Sequence, residues 1–207
     1  LAYPTILAEA LQRTGQIEAD LGNLDAGLDL LHEAYRAASS AHDDVGAAAA
    51  MRALLYNSVV VGKRLADADL LWKVADAAVA RVAHRDDLVA DFLVTQGAVL
   101  REQGKLAEAA EVLRRAAGLQ EKVHGPESME FARTLADLSM TLGDLSRTEE
   151  AHALNERRPR REFGNEQVAR RRLRGILRSL LGVVVQRAAE RPAPRFEPGR
   201  PRQARRI

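Results

Sequence analysis

The residues in this 207-residue chain that are able to do chemistry are few, and their spacing fits no catalytic device. His84-Arg85-Asp86 opens like the catalytic loop of phosphoryl-transfer enzymes, where the Asp accepts the proton of the attacking hydroxyl. That loop needs a Lys two residues after the Asp and an Asn five after it, and Leu88 and Asp91 stand there. Without a glycine-rich phosphate loop or an Asp-Phe-Gly, the triplet reads as a polar loop in which Asp86 or Asp87 caps the next helix. Gly62-Lys63 and Gly104-Lys105 lack the preceding glycine of a phosphate-binding loop. His32, His42, His84, His124 and His152 are spread along the chain with no pair at metal-ligand spacing. No cysteine is present to supply a thiolate or a disulfide, which fits a reducing compartment. The expectation is a chain with no catalytic residue, no cofactor and no metal.

The elements that carry these residues repeat. Gly22, Gly62, Gly104, Gly143 and Gly182 stand 40, 42, 39 and 39 residues apart, each between two apolar helical stretches. A fixed period near 40 marks a helix–turn–helix unit that buries its apolar face only by stacking on copies of itself. Seven residues before each glycine stand Gly15, Leu55, Gly97, Ala136 and Gly175, small in four cases, where two helices can approach closely. Eleven before it stand Leu11, Met51, Leu93, Ala132 and Arg171, on the same face. Five, nine and twelve residues after the glycine the first unit has Gly27, Leu31 and Ala34, and the third has Ala109, Leu113 and Ala116. The second unit needs one inserted residue to give Ala68, Trp72 and Ala75, which puts the single Trp at a core position. The fourth, with Thr148, His152 and Asn155, reads as decayed.

This small–large–small signature and period resemble tetratricopeptide repeats, in particular the longer-period type of kinesin light chains. The stretch LQEKVHGPESMEFARTLADLSMTLGDL (Leu119–Leu145) is similar to that family's inter-repeat passage, and FGNE at Phe163–Glu166 echoes HGPE at His124–Glu127. The first and third units also resemble C-terminal arrays of high-GC bacterial serine/threonine protein kinases. The resemblance implies an all-α, right-handed superhelical solenoid of antiparallel helix pairs, with four repeats and a degenerate terminal half-repeat. The units are expected at about 5–40, 43–84, 86–122 and 126–156 within a 1–156 solenoid, followed by a basic fifth repeat or capping helix at 157–191 and a disordered Pro/Arg-rich tail at 192–207. It further implies a cytoplasmic regulatory module, and a chain that opens on Leu1 instead of Met reads as a fragment of a longer protein, with a kinase domain upstream.

In such arrays the first helix of each unit lines a peptide groove, at ten, nine, six and three residues before the turn glycine. Those places hold Gln12, Arg13, Gln16 and Ala19; Arg52, Ala53, Tyr56 and Val59; Val94, Thr95, Ala98 and Arg101; Arg133, Thr134, Asp137 and Met140. Gln12, Arg13, Gln16, Arg52, Tyr56, Arg101, Arg133 and Asp137 are therefore the candidate ligand contacts. Two readings of the Arg stay open: forks for an acidic peptide, or solvated side chains on a helix face. The Asn series of the kinesin-light-chain groove is missing apart from Asn57, and so is the Asn and Lys set of the chaperone carboxylate clamp.

Charge divides the chain. Residues 1–156 carry 15 basic and 25 acidic side chains, while residues 157–207 carry 16 Arg and four acids. The basic segment reads first as a decayed cap, an end worn by high-GC drift or a shifted frame; it can also fold against the acidic body of its own or another copy, or bind nucleic acid or an anionic surface. No aromatics are interleaved for base stacking, which disfavours nucleic acid, and the apolar runs are far too short for a membrane span. The function expected is protein or peptide binding, with a nucleic-acid-binding regulator as the alternative.

Overall fold

The computed structural model of the chain describes residues 3–157. Eight α-helices fill that span: α1 (Tyr3–Asp20), α2 (Leu24–Ser40), α3 (Asp44–Leu55), α4 (Ala68–Ala80), α5 (Asp86–Glu102), α6 (Leu106–His124), α7 (Met129–Asp144) and α8 (Thr148–Arg157). A π-helical turn, Tyr56–Val61, prolongs α3, and a 3-10 turn, Leu65–Asp67, leads into α4. Apart from Arg157, the expected fifth unit with its Gly182, the Phe163–Glu166 echo and the 192–207 segment lie outside the described residues.

Each helix packs on the next, and the first helices of the pairs, α1, α3, α5 and α7, also touch one another in that order. The described chain is thus an all-helical solenoid of stacked antiparallel pairs. Its core is aliphatic: Leu31, Leu54, Leu55, Leu113, Leu135 and Leu142 are fully buried. Each such side chain contributes roughly 2 kcal/mol by leaving water. Helix α3 carries Ala47, Ala48, Ala50 and Ala53, all buried, so its neighbours approach its backbone closely. The same space is filled from opposite sides in different pairs. Tyr35 of α2 packs against the cluster that holds Ala48 of α3, whereas Ala117 of α6 packs under Phe131 of α7.

The turn between paired helices differs from the glycine register. Gly22 and Gly104 have φ of 91° and 75°, the left-handed conformation that ends a helix at little cost for glycine. In the second and fourth pairs that conformation falls on Lys63 (φ 55°) and Ser146 (φ 60°), not on Gly62 and Gly143. The true turn positions, Gly22, Lys63, Gly104 and Ser146, lie 41, 41 and 42 residues apart. At three of them the next N–H reaches back five residues, as Asn23 to Glu18, Lys105 to Leu100 (both 2.9 Å) and Arg147 to Leu142 (2.8 Å). At the second, Arg64 reaches six back to Ser58 (3.1 Å), because the π-helical turn holds one extra residue. That residue is the insertion the second unit required.

The corrected register changes the fourth pair. Five residues after Ser146 comes Ala151, buried, and eleven before it Leu135, also buried. Ser139, seven before it, donates its hydroxyl to the Ala151 carbonyl at 3.0 Å. The unit is therefore less worn than Thr148 and His152 implied, although exposed Asn155 still occupies its large position.

Where the pairs cross, the small residues act as expected. A Cβ on Gly15 would stand 2.8 Å from the Gly27 carbonyl oxygen, and one on Gly97 would stand 2.5 Å from Leu113 Cγ. Asp43 caps α3 by accepting from Gly46 N at 2.9 Å, and Ser128 caps α7 by accepting from Phe131 N at 3.3 Å. Asp86 and Asp87 do not cap α5. Arg85 holds the cap position without a side-chain bond, and both acids lie in the first turn, where the helix dipole favours them.

Candidate functional site

Because α1, α3, α5 and α7 form one row, the eight candidate residues lie on neighbouring helices of a single layer. Their surroundings differ. Arg13 is exposed and pairs with Glu9 of its own helix at 2.7 Å. Gln12 and Gln16 are half-buried, as are Arg52 at the end of α3 and Tyr56 at the start of the π-helical turn. Arg101 donates through Nη2 to Asp144 of α7 at 3.2 Å, while its Nε is buried with no hydrogen-bond partner among the described residues. Arg133 is exposed and Asp137 half-buried. Five of the remaining positions on the expected face, Ala19, Ala53, Val59, Thr95 and Thr134, are buried core, and only Val94, Ala98 and Met140 reach solvent.

Two contacts tie this layer together. The first is an amide pair: Asn57 Nδ2 donates to Gln16 Oε1 at 3.0 Å and to the Ala53 carbonyl at 2.8 Å. Asn57 is fully buried, and Gln16 Nε2 donates to Asp20 at 3.1 Å, so both amides serve the α1–α3 contact. The second is a charge cluster on α5 and α7. Burial pushes the Asp137 carboxyl above the usual range, while Arg133 and Arg101 pull it the other way. Asp144 competes for Arg101, so the fork expected there is already engaged. Arg52 and Arg133 have no ion-pair partner among the described residues. Spacing counted from Gly143 did not single out Asp144 because its role comes only from the helix across from it.

The His84-Arg85-Asp86 triplet has no catalytic geometry. Arg85 clamps Asp87 through Nε (3.0 Å) and Nη2 (2.7 Å), which holds the Asp87 carboxyl below its usual range. Asp86 accepts from Lys122 Nζ of α6 at 2.7 Å. These acids thus fasten α5 to its surroundings. Trp72 is half-buried, with its ring stacked on Phe92 at 5.0 Å between centroids and 22° between planes. It also lines a cavity of about 220 Å³ with Val99, Leu100 and Gln103, so it is a core residue with one open side.

A larger cavity, about 400 Å³, lies among α6, α7 and α8. Among the described residues no three His, Asp or Glu side chains gather as metal ligands. Nor is any described helix long and apolar enough to cross a membrane. No curated protein matches the chain, and residues 88–158, which run from α5 to the end of α8, match the family model described as tetratricopeptide repeat.

Proposed function

We propose that the row of first helices holds an acidic peptide, with Arg52 and Tyr56 near its centre and Arg133 toward its far end. The tetratricopeptide match supports a non-catalytic protein-interaction scaffold. The observation that carries the acidic preference is that Arg52 and Arg133 have no ion pair among the described residues, whereas Arg13 and Arg101 are bound to Glu9 and Asp144. A guanidinium without an ion pair offers a bidentate fork to a carboxylate side chain, and Tyr56 follows Arg52 by four residues. Val94 and Ala98 of α5 and Met140 of α7 are the apolar positions of the expected face that reach solvent.

The test is a display of random dodecapeptides selected on the whole chain. Enrichment of Asp and Glu is expected, with affinity falling about tenfold on Arg52→Ala and weakening as salt rises. Selection of neutral or basic peptides, or indifference to Arg52, would sink the reading. The resemblance of the first and third units to kinase C-terminal arrays supports placing this module in the cytoplasmic regulatory part of a bacterial serine/threonine kinase. Sequencing the upstream reading frame tests it, since a winged-helix domain there would favour the nucleic-acid-binding alternative that rests on the 16 Arg of residues 157–207.

A further inference from the structure

The 400 Å³ cavity has a frame that specifies what can enter it. Helices α6 and α8 are both second helices of their pairs, and each packs on α7. Two ion pairs join them: Arg114 to Glu150 at 3.2 Å, and Arg157 to Glu121 at 2.7 Å. On each helix the two members are seven residues apart, so the bars stand about 10 Å from one another. Between them the floor is the apolar face of α7, made of Phe131, Leu135, Leu138 and Leu142. The result is a window barred at both ends by charge, over an apolar floor whose four side chains are almost wholly buried.

We propose that this window is a binding site for a compact, uncharged, mostly apolar small molecule of ring size. Three features point there. The volume lies in the range of small-molecule sites and far above the voids that packing leaves in a protein interior. The α6 wall has open space at Gly118, an exposed mid-helix glycine whose added Cβ would meet no atom within 4 Å. The empty space there is not forced by crowding. Both bars of the frame are also already paired. Arg114 serves Glu150 and Glu111 (2.5 Å), and Arg157 serves Glu121 while its guanidinium lies 5.5 Å from the centre of the Phe131 ring. A charged ligand would compete with these pairs for the same side chains, and both pairs lie across the cleft. This site is separate from the row of first helices and stands independently of peptide binding.

The experiment uses the full chain and N-phenyl-1-naphthylamine, an uncharged ring compound that fluoresces in apolar surroundings. Saturable one-to-one binding is expected, together with at least about tenfold weaker binding of the anionic analogue 8-anilinonaphthalene-1-sulfonate. Gly118→Leu from the α6 wall and Ala153→Leu from the α8 wall each fill the window. Either should weaken the neutral probe by at least about tenfold while the helical circular dichroism stays unchanged. Having both variants guards against one that fails to fold. Absence of saturable binding, equal binding to both filled variants, or tighter binding of the anionic probe would each overturn the proposal.

Discussion

Two glycines of this chain have opposite reasons to be glycine, and their alanine variants separate them. At Gly97 a methyl group would meet the buried branch point of Leu113 at 2.5 Å, inside a helix crossing with no slack. Gly97→Ala should cost about 1–3 kcal/mol through overpacking, read from urea unfolding. Gly118 faces open space, so Gly118→Ala should gain about 0.5–1 kcal/mol from helix propensity. Equal effects would mean that the α5–α6 approach is looser than described. Asp137 makes a second prediction at this scale. Burial raises its folded-state pKa, so the folded chain holds the proton more tightly than the unfolded chain does. Its contribution is then fullest below the ordinary Asp value of about 3.9 and is lost as pH rises through the raised one. Asp137→Asn mimics the protonated form and cannot lose it. The stability of this variant relative to the native chain should therefore increase from about pH 4 to pH 7. A difference that is flat across that range would show that Arg101 and Arg133 cancel the burial.

At the scale of elements, the period of the repeat was legible because small and large residues recur where helices cross, and crossings need them. Gly15, Gly97 and Leu113 could be placed from spacing alone. The turns were harder to read, since any residue can adopt the left-handed conformation if the rest of the turn holds it there. Lys63 and Ser146 do so, and a reader of glycines is misled by one residue in the second pair and three in the fourth. The π-helical turn has no residue signature in YNSVVV; it shows only as the one-residue slip between Gly62 and Ala68. The candidate layer was legible to the same extent. Its residues fall on the row of first helices, but whether an Arg is paired depends on Glu9, Asp144 and Asp137 across or along the helix. Ser146 carries a prediction of its own. It is exposed, has φ 60°, and its side chain makes no hydrogen bond among the described residues, so Ser146→Gly removes strain without losing one of those bonds. Left-handed backbone costs a non-glycine residue roughly 1 kcal/mol, partly offset by glycine's greater freedom when unfolded. A gain of up to about 1 kcal/mol in the melting of α7 and α8 is expected, and a loss would mean that the Ser146 hydroxyl supports the turn.

At the scale of the molecule, the packing is nearly one-dimensional: each helix meets its neighbours in the row and little else. Stability in such an array is a sum of local and nearest-neighbour terms, so the position of a lesion should decide how far it spreads. Gly15→Leu drives a side chain into the Gly27 backbone at one end of the described stack. Gly97→Leu does the same to Leu113 in its interior, where α5 is also the helix that links α3 to α7. Hydrogen exchange by mass spectrometry reads both. In Gly15→Leu the peptides of α1 and α2 should lose protection while those of α5, α6 and α7 keep it. In Gly97→Leu, α5 and α6 should open, and α7 and α8 should follow. The last pair has few fully buried side chains of its own on α8, where Ala151 alone is buried. It leans instead on Ala110, Leu113 and Ala117 of α6. Helices α1 and α2 should remain protected, because their contacts run to α3 and not to α5. If either lesion exposes all the helices together, the units fold as one block and the nearest-neighbour account fails.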